Sequence, residues 1–166
     1  HVIEQIVDDY TQLVVIGTGD ESYENMFWYY EWKLKGRVSW NIYFSNYRAH
    51  KIYAAADAML VPSRFEPCGL TQLIALRYGT VPIVRETGGL RDTVEPYNIY
   101  SDSGTGFSFA NYNAHEMLNT INYAKHIYFD ERAKWNGIAF RGMNKDFSWR
   151  NSAEEYSRLY RRLMGQ

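Results

Sequence analysis

A strand, a tight turn and a helix follow one another without a break between Ala58 and Tyr78, and this unit limits the fold more than any other stretch. Ala58-Met59-Leu60-Val61 is a short apolar run that reads as a buried strand. The spacing predicts a helix over Leu70–Tyr78, stopped by Gly79. Between them runs Pro62-Ser63-Arg64-Phe65-Glu66-Pro67-Cys68-Gly69. Two prolines bracket the turn and fix its φ angles. Gly69 lets the backbone approach a ligand where a Cβ would intrude. The amides of Leu70 and Thr71 fall in the first helical turn, without partners inside the helix. Together with the helix dipole they form an anion site suited to a phosphate. Glu66 stands at the mouth of the same turn. A carboxylate is a poor neighbour for a phosphate and a better one for a hydroxyl-rich neutral group. A sugar carried on a phosphate satisfies both halves. Taken alone, such a turn reads more simply as a helix start with a surface acid beside it.

The remaining chain alternates strands and helices. Residues 1–10 read as the end of a helix, as if the chain opened inside an element of a longer protein. Leu13-Val14-Val15-Ile16 reads as a strand buried on both faces, followed by the turn Gly17-Thr18-Gly19-Asp20. Glu21–Leu34 is helical, with Tyr23, Met26, Phe27, Tyr30 and Leu34 on the core face. Trp28 and Trp32 fall on the opposite face, which suits either packing against a further element or stacking on a sugar. Val38–Tyr43 reads as a strand, Tyr47–Ala56 as a helix, and Val81–Val84 as another strand. Thr87-Gly88-Gly89 leads into a short helix, Leu90–Val94, and Phe107–Phe109 is a brief strand. Three helices follow. The first carries Met117, Leu118, Ile121, Ala124 and Tyr128 as its stripe. The second is capped by Asp130, and the third is capped by Ser148 with Tyr156, Leu159, Tyr160 and Leu163 as its stripe.

This alternation predicts an α/β chain: one Rossmann-like, doubly wound parallel sheet forming a single domain over residues 1–166. Ligands of such sheets lie beyond the carboxyl ends of the strands. Gly17–Asp20, Phe44, Ser63–Thr71 and Thr87–Gly89 all follow strands and are expected on one rim. A formal net charge of −1 offers no reason to expect nucleic acid or an acidic membrane as partner. The single cysteine, Cys68, excludes an internal disulfide and fits a reducing, cytoplasmic setting. His50 reads as structural, since no second His or Cys stands at metal-ligand spacing.

The run from Pro62 to Gln72 closely resembles the donor-binding loop of bacterial glycogen synthases and plant starch synthases, which are retaining glycosyltransferases of two-domain GT-B architecture. The likeness continues through Tyr78–Arg85, Thr87–Val94, Gly104–Phe107 and Asp146–Trp149, and upstream through Leu13–Asp20. It implies the carboxy-terminal, donor-binding domain, with the amino-terminal acceptor domain absent. The implied reaction moves glucose from ADP-glucose, or less favourably UDP-glucose, to the end of an α-1,4-glucan with retention, with no cofactor or metal. By the same resemblance Glu66 is the catalytic carboxylate beside the transferred glucose. Gly69, Leu70 and Thr71 meet the diphosphate, and Cys68 lies towards the sugar. Phe44 stacks on the adenine, with Tyr43 lining the same pocket. Cys68 also reads as a small buried hydrophobe, and Phe44 as a core aromatic. An Arg and a Lys that the family carries upstream of this chain are absent, so the fragment alone is expected to be inactive. Neither Arg64 nor Arg85 matches them. The alternatives are another retaining glucosyltransferase, related to sucrose or trehalose synthesis, and a non-catalytic nucleotide-sugar or glucan-binding module.

Overall fold

The computed structural model describes residues 1–165. Five strands pair only in parallel among these residues, as the alternation of elements requires. Strand β1 (Leu13–Gly17) pairs with β2 (Val38–Ile42), Leu13 opposite Val38 and Gly17 opposite Ile42. Strands β3 (Ala58–Val61), β4 (Val81–Arg85) and β5 (Phe107–Phe109) form a second ladder in the order β3-β4-β5. The parallel α/β class is as expected, but the hydrogen-bonded ladder comes in two pieces instead of one. Helix α1 (Ile3–Ile6) precedes β1, α2 (Glu21–Lys33) links β1 to β2, and α3 (Asn46–Ala55) leads from one ladder to the other. Helix α4 (Thr71–Tyr78) links β3 to β4, and α5 (Gly88–Thr93) follows β4. Three helices close the chain: α6 (Ala114–Asp130), α7 (Arg132–Met143) and α8 (Trp149–Leu163).

One core spans both ladders. It takes Ile3 and Ile6 from α1, Val38 from β2, Val81 and Ile83 from β4, Phe107 from β5, and the buried faces of α6 and α7. A smaller cluster of Val61, Val84, Leu90 and Val94 fills the other face. Strand β4 therefore buries both faces, which explains its uninterrupted apolar sequence. Strand β1 does not. Val14 is 50% exposed, because β1 has one paired neighbour and an open cleft beside it. Lys125 of α6 donates to the carbonyl of Ile6 (3.3 Å) and pairs with Asp8, tying the amino-terminal segment to the carboxy-terminal helices.

Several expectations need correction. Helix α1 covers only four residues, and Asp8 bridges to Thr11 straight after it. Tyr23 is 63% exposed and so is not part of the α2 core face, which rests on Met26, Phe27, Tyr30 and Leu34. Asp130 ends α6 and pairs with His126 in place of capping α7, whose cap position is Glu131. Ser148 does cap α8, accepting from the Asn151 amide at 3.4 Å. The stripe Tyr156, Leu159, Tyr160 and Leu163 lies open to solvent, because α8 buries no residue.

Candidate functional site

The turn between β3 and α4 is built as its residue types demand. Gly69 sits at φ +69°, in the left-handed region that a side chain disfavours. Leu70 occupies the cap position of α4, and no side chain caps the helix start. Helix α4 thus opens with amides that neither the helix nor a capping group takes up, at the positive end of its dipole. Glu66 is half-buried at the mouth, its carboxylate accepting from Ser63 Oγ at 3.3 Å.

Neighbouring elements hold this turn from three sides. The Arg85 guanidinium donates to the carbonyls of Ser63 (3.2 Å) and Arg64 (3.1 Å). The Gly89 amide donates to the Glu66 carbonyl at 3.1 Å. A Cβ on Gly88 would lie 1.9 Å from that same carbonyl oxygen, and one on Gly89 would lie 2.1 Å from the Cys68 oxygen. The glycine pair is therefore a matter of close packing. From below, Gln72 is fully buried, and its Nε2 donates to the carbonyls of Cys68 (3.0 Å) and Gly69 (3.2 Å) and to Thr93 Oγ1 (3.2 Å). The sequence alone puts Thr87–Gly89 after a strand but shows none of these contacts. The available signal was a glutamine on the same helix face as Ala75 and Leu76, both buried.

The structure brings Glu66, Cys68, Gly69, Leu70 and Thr71 together in one turn. Cys68 is exposed, so the buried-hydrophobe reading fails: the turn bulges outward over Gln72 and leaves the thiol in solvent. Phe44, 84% exposed just past β2, is not a core aromatic either. Tyr43 donates its hydroxyl to Asn41 (3.3 Å), accepts from Arg48, and carries the Arg48 guanidinium 5.1 Å from its ring centre. It lines an open cleft of about 380 Å³ between β1, β2 and α3, with Val14, Ile16 and Lys51 among the other walls. None of Glu66 to Thr71 lines that cleft. Phe44 and Tyr43 follow the first ladder and Glu66–Thr71 the second, so the two sets are held by separate strands. His50 is bonded through Nδ1 to the Tyr78 hydroxyl (3.2 Å), and Asp57 accepts from the Tyr128 hydroxyl (3.0 Å).

The profile of the family described as glycosyl transferases group 1 matches residues 2–140. A glycogen synthase of Lachnospira eligens is 63% identical over 163 residues, covering 98% of this chain and 34% of that protein. Among solved structures, the catalytic domain of starch synthase IV from Arabidopsis thaliana, bound to ADP and acarbose, superposes with a TM-score of 0.78 at 34% identity, covering 93% of this chain and 33% of that one. Sucrose-phosphate synthase from Thermosynechococcus elongatus superposes with a TM-score of 0.64 at 26% identity, covering 93% of this chain and 39% of that one. The chain thus spans about a third of the length of the relatives it matches. With the family profile lying over most of its length and its elements in place, the chain belongs to the glycosyl transferases group 1.

Proposed function

We propose that this chain is the donor-binding part of a glycogen or starch synthase, which transfers glucose from ADP-glucose to the non-reducing end of an α-1,4-glucan with retention. The uncapped start of α4 behind Gly69, with Glu66 at its mouth, carries the reading. Amides and helix dipole meet the diphosphate, and Gly69, Leu70 and Thr71 need no side-chain charge to do so. Glu66 binds sugar hydroxyls and stabilises positive charge growing at the anomeric carbon, an electrostatic task that a water-poor cleft strengthens. Phe44 offers an open ring for the base, and Tyr43 and Cys68 border the nucleotide and the sugar. Further support comes from the name of the 63% identical relative and from the ADP and acarbose held by the starch synthase. The sucrose-related reading has the weaker likeness, 26% identity. The acceptor glucan and an amino-terminal domain complete the active protein in this reading, and the cytoplasm is its place of work.

The test is a titration of ADP into the full-length protein by calorimetry, beside a transfer assay with ADP-glucose and glycogen. The expected result is ADP binding, elongation of the glucan, and a loss of ADP affinity of about tenfold in Phe44→Ala, since base stacking contributes roughly 1–3 kcal/mol. Absence of ADP binding overturns the reading, and unchanged affinity in Phe44→Ala moves the base elsewhere.

A further inference from the structure

We propose that Gln72 is a positioning residue for the donor turn, setting the aim of the Gly69–Thr71 amides without touching the ligand. Its side-chain amide is fully buried and spends its Nε2 on the carbonyls of Cys68 and Gly69 and on Thr93 Oγ1. Thr93 Oγ1 in turn donates to the carbonyl of Gly89, whose amide holds Glu66. One side chain thus ties the turn, the start of α4 and the body of α5 into a single network. The orientation of the amide follows from its surroundings. Turned over, Oε1 would face the two carbonyl oxygens, acceptor against acceptor. The cost of the orientation that remains is visible: Oε1 is buried without a partner. It lies close under Gly69, where an added Cβ would stand 2.6 Å from it. A leucine of similar size would fill the space and satisfy none of the three acceptors. The carbonyls of Cys68 and Gly69 would then lose this donor, and the turn would be free to tilt its amides away from the diphosphate.

The role presupposes that the turn takes a sugar nucleotide. In the full-length protein, Gln72→Leu is expected to weaken ADP binding by about tenfold or more, as for loss of a buried hydrogen-bond set. Gln72→Glu supplies the decisive readout. As a carboxylate it has no proton to give, and burial raises its pKa. Once protonated it donates one hydrogen bond. ADP affinity of Gln72→Glu, relative to wild type at each pH, should therefore recover as the pH falls, while that of Gln72→Leu should not. Thr93→Val, which removes the Gln72 acceptor and the Gly89 donor together, keeps the volume and leaves the bonds from Gln72 to Cys68 and Gly69, should weaken ADP binding less than Gln72→Leu does. A folded Gln72→Leu protein with wild-type ADP affinity overturns the role, as does a Gln72→Glu profile parallel to wild type. If Gln72→Leu fails to fold, the Gln72→Glu profile decides by itself. A wild-type protein that does not bind ADP overturns the donor reading and this role together. Normal wild-type binding with unaffected variants overturns the role alone.

Discussion

At the scale of single residues, the site divides into groups that would meet the ligand and groups that hold them. Glu66 belongs to the first kind: its backbone carbonyl is bound by Gly89 and its carboxylate is left to the mouth of the turn. Glu66→Gln in the full-length protein is expected to lower turnover by about 10²–10³-fold, the range for losing one aimed electrostatic group. ADP affinity should stay nearly unchanged, because in the proposed role the charge serves the transition state. Steady-state kinetics with ADP calorimetry would check this, and near-normal turnover would refute the role. Gly88 belongs to the second kind. It has φ +46°, and a Cβ there would collide with the Glu66 carbonyl at 1.9 Å. Gly88→Ala should lower stability by at least about 1–3 kcal/mol and loosen ADP binding as well. Denaturant melts beside ADP titrations would show both effects. A variant as stable as the parent would mean that α5 can retreat from the turn freely.

At the scale of elements, the short α1 depends on what it is tied to. Its four residues are too few to hold a helix on their own. Ile3 and Ile6 bury in the main core, and the Asp8–Lys125 pair fastens the following residues to α6. The hydrogen bond from Lys125 holds the Asp8 carboxyl down at about 2, against an ordinary 3.8. A lowered carboxyl pKa adds stability that is present above the unfolded value and lost as the pH falls towards the folded one. The Asp8 contribution should thus fade between about pH 4 and pH 2. Because Asp8 is nearly half exposed, solvent screening keeps it within roughly 0.2–1 kcal/mol. Asp8→Asn should be slightly less stable at neutral pH and should flatten the acid slope in that window. Thermal melts from pH 2 to pH 7 measure it, and identical slopes for both proteins would remove Asp8 from the account.

At the scale of the whole molecule, two parallel ladders share one core. Strand β4, paired on both sides and buried on both faces, is its centre. Strands β1 and β2 have one partner each, and α2 beside them has no buried residue. Opening free energies should follow this difference. Native-state hydrogen exchange is expected to show the amides of β3–β4 exchanging more slowly than those of β1–β2, in two separate groups. A single common rate for all five strands would mean that the ladders open as one unit.

What the sequence determined by itself was local in origin. The strand–turn–helix at Ala58–Tyr78 and Ser148 as a cap follow from patterns within a few residues of one another, and the parallel α/β class from the alternation of such patterns along the chain. The run from Glu66 to Thr71 is likewise contiguous, so the chain itself places these residues in one turn. What lay beyond reach depended on partners distant in the chain. The Arg85 bonds to Ser63 and Arg64, the packing of Gly88 and Gly89 under Glu66 and Cys68, and the Gln72–Thr93 contact each join separate elements. The exposed α8 stripe shows the same limit from the other side. Helical spacing specified which side chains share a face, but only the packing of the folded chain decided whether that face met anything.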